Sequence, residues 1–123
     1  MKINKWPFAL VFCTDNLPKE NGGRTNGFVV RIRPRYIKDI GLHKHELKHV
    51  SHNWCGLLVF TGLLNWLYKP YDLWNEAQAY KEQMLWPDAN GNRITLNDAA
   101  ARLSMPNYSF NLTMDEARAA LQS

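Results

Sequence analysis

The spacing of apolar residues changes about a third of the way along the chain. The first third has the patterns of strands. FALVFC (Phe8 to Cys13) is a continuous apolar run of strand length. NLPKENGGRTNG (Asn16 to Gly27) is rich in turn residues. FVVRIRPRY (Phe28 to Tyr36) alternates, with Val30 and Ile32 on one face and Arg31, Arg33 and Arg35 on the other. Pro34 cannot donate to a ladder, so this strand is expected to be an edge or to end there. Together the two runs predict an antiparallel hairpin with a long connection.

From about Asp39 the period becomes helical. A first helix is expected from near Gly41 to near Trp54. The apolar run WCGLLVFTGLLNWLY (Trp54 to Tyr68) is too short for an ordinary membrane span, and it predicts a buried helix bent or broken near Thr61-Gly62. Pro70 opens a further helix over Tyr71 to Trp86, stopped by Pro87. Thr95 with Asp98 and Thr113 with Glu116 have capping-box spacing, which predicts two short helices joined by SMPNYSFNL. There is no internal repeat. The expectation is one α+β domain over residues 1–123: a small antiparallel sheet packed on the first helix, then the second helix, then short C-terminal helices.

Composition adds little to the fold and something to the setting. The chain has 123 residues, 46% of them hydrophobic and 21% charged, ordinary values for a globular protein. Residues 1–62 hold ten Lys and Arg against four Asp and Glu, and the remainder five against seven. The basic excess between Arg24 and Lys48 reads first as a solvated face and second as a surface for an anionic partner. Cys13 and Cys55 form no CxxC pair, which fits two buried thiols in a reducing compartment. MKINKWPFALVFCT lacks a long apolar region and a small-residue cleavage site, so no signal peptide is expected. The setting read from these features is cytoplasmic, without a membrane.

The chemistry is concentrated in GLHKHELKHVSHNW. All four histidines, His43, His45, His49 and His52, lie within it. HELKH, from His45 to His49, is an H-E-x-x-H motif. Residues four apart share a helix face, so two imidazoles can reach one zinc ion at about 2.0–2.1 Å. Glu46, about 100° round the helix, can then act as general base on water at the metal. A catalytic zinc needs a third protein ligand. Glu76 in NEAQAY is the choice: it lies on an amphipathic helix beside small Ala77 and Ala79, with Tyr80 one turn later on the same face. Glu82 sits on another face. His52 lies two turns beyond His45, and His43 points to the opposite side.

GLHKHELKHV, followed at this distance by YDLWNEAQAYKEQ, resembles small zinc metallopeptidase-like proteins encoded by tailed phages and prophages. These are similar to minimal gluzincins, the group that includes thermolysin. The resemblance implies a zincin-like fold and zinc-dependent hydrolysis of peptide bonds. It implies His45, His49 and Glu76 as Zn2+ ligands and Glu46 as general base. It also implies that the strand Phe28 to Arg33 lies beside the cleft, where a peptide substrate adds as an extra strand. If the protein is phage-encoded, the host cytoplasm is where it would act. Candidates for contact with substrate or transition state are Tyr80, Tyr108, Arg31 and Arg33. Two other readings stand beside this one: a structural zinc site without catalysis, and a basic module that binds nucleic acid through the arginine-bearing strand.

Overall fold

A computed structural model of the chain describes residues 2–4, 7–19, 21–55 and 68–123. Four strands form one sheet: β1 (Lys2–Asn4), β2 (Ala9–Cys13), β3 (Gly23–Asn26) and β4 (Val29–Ile32). Four α-helices follow among the described residues: α1 (Ile40–Cys55), α2 (Lys69–Gln83), α3 (Leu96–Leu103) and α4 (Met114–Gln122). The α+β class is as expected. The bend expected near Thr61-Gly62 lies outside the described residues.

The sheet departs from the expected hairpin. Its order is β1-β2-β4-β3, and β2 pairs with β4 in parallel, Leu10 opposite Val29 and Cys13 opposite Ile32. The sheet is therefore mixed. The cause is a strand inside the turn-rich segment: Gly23–Asn26 runs antiparallel to β4 and joins it through a two-residue turn at Gly27-Phe28. Gly27 has φ 61°, as such tight turns require. That extra reversal makes β4 parallel to β2 and places β4 in the interior. Pro34 does end the strand, since β4 stops at Ile32 and Pro34 opens a 3-10 turn.

Two apolar cores form on either side of α1 and α2. One joins the sheet to α1 through Ala9, Val11, Val30, Ile32 and Val50, with Phe28 and Trp54 packed against it. The alternation read from the sequence holds, because Val30 and Ile32 are buried and Arg31 is not. The other joins α2, α3 and α4 through Ala77, Tyr80, Ala99, Ala100, Leu103, Ala117 and Leu121. Both short helices have their capping boxes: Thr95 with Asp98, and Thr113 with Glu116. Cys13 and Cys55 are exposed and unpaired rather than buried. Each closes an element, β2 and α1, where the chain leaves the core.

Gly23 brings β3 close to α1. A Cβ there would lie 2.9 Å from Ile32 Cδ1 and 3.3 Å from both the Arg31 carbonyl oxygen and Glu46 Cγ. Gly23→Val is expected to cost about 1–3 kcal/mol by overpacking this contact. Urea unfolding of the variant measures it, and an unchanged midpoint would show that β3 does not press on α1.

Candidate metal centre

The H-E-x-x-H motif is helical, as its spacing predicts, and α1 turns it toward α2. His45 and Glu46 are buried, at 4% and 5% exposure, and His49 is largely covered. Glu76 comes from α2, which begins at Lys69 with Pro70 in its first turn. The end of α2 comes close to the start of α1 at Gly41. Gly41 at the start of α1 has no room for a Cβ, which would lie 3.0 Å from the Trp86 carbonyl oxygen. Its own N–H donates to the Pro87 carbonyl oxygen at 3.0 Å. Ala77 and Ala79 on α2 are buried.

Three donor atoms converge. His49 Nε2 lies 3.3 Å from His45 Nε2 and 3.1 Å from Glu76 Oε2, and His45 Nε2 lies 3.6 Å from the same oxygen. Ligands about 2.0–2.1 Å from a tetrahedral ion are about 3.3–3.4 Å from one another. The triangle matches one face of such a tetrahedron. His45, His49 and Glu76 are the group among the described residues that could hold a metal ion.

The neighbours fix the ligand orientation. Asn75, the residue before Glu76, is buried, and its Oδ1 lies 3.1 Å from His49 Nδ1. An amide oxygen only accepts, so Nδ1 carries the proton. In neutral His49 that leaves the Nε2 lone pair facing the other donors. The His45 ring packs edge-on against Tyr80, with centroids 4.4 Å apart. His52 lies outside the donor group: its Nδ1 is 2.5 Å from Asn75 Oδ1, and its ring packs by Trp74. His43 Nε2 lies 3.0 Å from the Ile37 carbonyl oxygen.

The electrostatics follow from burial. Burial alone would lower the His49 pKa, but the Glu76 carboxylate beside it, with help from Glu46, carries it up to about 9. Burial alone would raise the Glu76 pKa. The His49 charge and hydrogen bonds from His45 and His49 instead hold it well below the usual carboxylate range. Without a metal, the extra proton on His49 balances Glu76.

Glu46 points into the same cleft but toward β3, where Oε2 accepts from Thr25 Oγ1 at 2.6 Å. The cleft measures about 480 Å³ and lies between the two cores. Tyr80 and Tyr108 line its helical wall, with hydroxyls 2.6 Å apart. Burial, then the charge of Glu76, raises both phenol pKa values.

Arg31 and Arg33 do not line the cleft. Arg31 donates to the Asn16 carbonyl oxygen and to Asn26 Oδ1. Arg33 ties down the loop before β3, donating to carbonyl oxygens of Asn21, Leu17 and Pro18 and pairing with Asp15 at 3.2 Å. The strand expected beside the cleft, Phe28 to Arg33, is also displaced from it. β4 has neighbours on both sides, and β3 is the strand at that edge.

Thr25, Asn75 and Arg102 also line the cleft. Their signals in the sequence are faint: an Asn-Gly turn after a short polar run, and an amide next to a chosen ligand. Compared with protein-family models, curated proteins and solved structures, the chain finds no match. The functional reading therefore rests on the geometry.

Two outcomes follow. Below pH about 9 His49 carries a proton that an incoming metal must displace. Affinity for a divalent transition-metal ion should rise roughly tenfold per pH unit between about pH 7 and that value, then level off. About one proton should be released per ion, measured by calorimetry in buffers of different ionisation heat. Flat affinity with no proton release would contradict the assignment. Asn75→Ala should weaken metal binding by about 10–100-fold in competition with a chelator. Undiminished affinity would remove Asn75 from the site.

Proposed function

We propose that this chain is a zinc-dependent peptidase of the gluzincin kind, built on a zincin-like fold. The observation that carries the reading is the convergence of His45 Nε2, His49 Nε2 and Glu76 Oε2 at tetrahedral spacing in an open cleft that also holds Glu46. Two imidazoles and one carboxylate suit zinc and leave a coordination position for chemistry. When bound, zinc would polarise a substrate carbonyl and make water acidic enough to attack near neutral pH.

The rest of the work falls to the chain itself. Glu46 takes the proton from the attacking water and passes it to the leaving amine. Thr25 holds one oxygen of that carboxylate in place. β3 pairs with β4 on one side. Its other edge, unpaired among the described residues, can hold an extended peptide by backbone hydrogen bonds. Tyr80 and Tyr108 stay protonated far above neutral pH, and in the pair their hydroxyls form one donates to the other, which leaves the second O–H as a donor for charge developing on the carbonyl oxygen. A peptide or protein segment is the substrate class that fits an open cleft beside a strand edge. No helix among the described residues is long and apolar enough to cross a membrane. The two free thiols accord with action in the cytoplasm.

A purely structural ion would favour a fourth protein donor. The two remaining histidines are engaged by the Ile37 carbonyl and by Asn75, which favours the catalytic reading.

Elemental analysis and a peptide-cleavage assay on untagged protein test the proposal. One zinc per chain is expected. Glu46→Gln should keep the zinc and lose about 10²–10⁴-fold in hydrolysis. Glu76→Ala should lose the metal. Full activity in Glu46→Gln would overturn the role of the base, and undiminished zinc in Glu76→Ala the ligand set.

A further inference from the structure

The helical wall of the cleft carries a cation that the hydrolytic machinery does not use. Arg102, in the last turn of α3, lines the cleft with Tyr80, Tyr108 and Met105. Its neighbours Ala99, Ala100 and Leu103 are fully buried in the helical core, so the backbone beneath the side chain is fixed. Arg31, Arg33 and Arg118 all direct guanidinium donors at protein oxygens. The Arg102 guanidinium, on an exposed residue, has no hydrogen bond or ion pair among the described residues. Asp98, one turn earlier, feels its charge but is held in the α3 capping box by the Thr95 N–H. Tyr80 feels the charge too: Arg102 pulls against the rise that burial and Glu76 give its phenol.

Arg24 also lines the cleft, from the opposite wall. On β3, however, Thr25 bonds Glu46 and Gly23 abuts it, so alternation directs the Arg24 side chain to the other face of the sheet. There it stands opposite Arg31. Arg102 is thus the better placed of the two arginines for a ligand in the cleft.

We propose that Arg102 is a specificity residue that binds a carboxylate of the peptide, so that the cleft selects substrates with a carboxylate close to the scissile bond. A guanidinium presents paired donors whose geometry matches a carboxylate. The buried helix beneath Arg102 fixes its backbone, so binding has only the side chain to order. The same chemistry comes from an Asp or Glu side chain or from a free C-terminus. This inference rests on the peptidase reading for its substrate, but its test does not require turnover.

The probes are matched acetylated hexapeptides: one with an internal Glu, its Gln counterpart, and an uncharged sequence with a free or an amidated C-terminus. Binding is measured by calorimetry on the zinc-loaded Glu46→Gln chain at low salt. At least one carboxylate peptide should bind about tenfold more tightly than its amide partner. A preference for internal Glu identifies a side-chain site, and one for the free C-terminus identifies a terminal site. Either preference should vanish in Arg102→Gln, persist in part in Arg102→Lys and survive unchanged in Arg118→Gln. Equal binding of the paired peptides, no detectable binding, or a preference that survives Arg102→Gln would overturn the inference. If the preference is present but the wild-type zinc form cleaves none of the peptides, the peptidase reading fails and the Arg102 site stands.

Discussion

A carboxylate held between two imidazoles and shielded from water is the constraint on which the rest depends. Glu76 cannot stay ionised there alone, because removing an isolated charge from water costs several kcal/mol. A positive charge must accompany it. In the metal-free chain this is the second proton of His49, whose pKa the carboxylate carries up to about 9. A divalent ion held by the three donor atoms would do the same task with more charge. The proton and the metal are alternative occupants of one electrostatic position.

That position exists because two helices approach more closely than bulky side chains would allow. Gly41 leaves room beside Gln83 and Trp86, and the Gly41 N–H bonded to the Pro87 carbonyl fixes the start of α1 against the end of α2. The apolar cores lie to either side of this crossing and leave its middle polar. Buried polar groups are stable only when partnered, and much of the cleft meets that demand. Asn53 donates to the Gly27 carbonyl oxygen at 2.7 Å, and Asn75 accepts from the ring nitrogens of His49 and His52. The first of these bonds joins α1 to the β3–β4 turn, and the second joins α1 to α2. Both help hold the cleft between the cores.

What could be read from the sequence was local. The i, i+4 histidines, the proline opening α2 and the two capping boxes all act within one or two helical turns, and each appears where its pattern placed it. Glu76 was legible because a ligand search needs only a carboxylate on a neighbouring helix. Pairing over longer distances was not. β3 is four residues of Gly, Arg, Thr and Asn with no apolar alternation, so it looked like part of a loop. Its one signal was Asn26-Gly27 before an alternating run, the dipeptide of a tight hairpin. Missing β3 made β2 and β4 seem antiparallel and β4 seem exposed. The same gap hid the protein acceptors of Arg31 and Arg33, which lie in the loop before β3 and on β3 itself.

The place of β3 also explains how Glu46 stays apart from the group of His45, His49 and Glu76. Glu46 adjoins His45 in sequence, and a second carboxylate so near could crowd the group of His45, His49 and Glu76. Helical geometry turns it about 100° away, and Thr25 engages the carboxylate from the opposite side. The hydroxyl that engages Glu46 therefore comes from β3, the edge strand of the sheet among the described residues, which also lines the cleft. Gly23 lets that strand lie close to Glu46, since a Cβ there would meet Glu46 Cγ at 3.3 Å. On the proposed peptidase reading, a peptide paired with β3 would be registered to Glu46 through one short strand, because Thr25 of that strand holds the carboxylate.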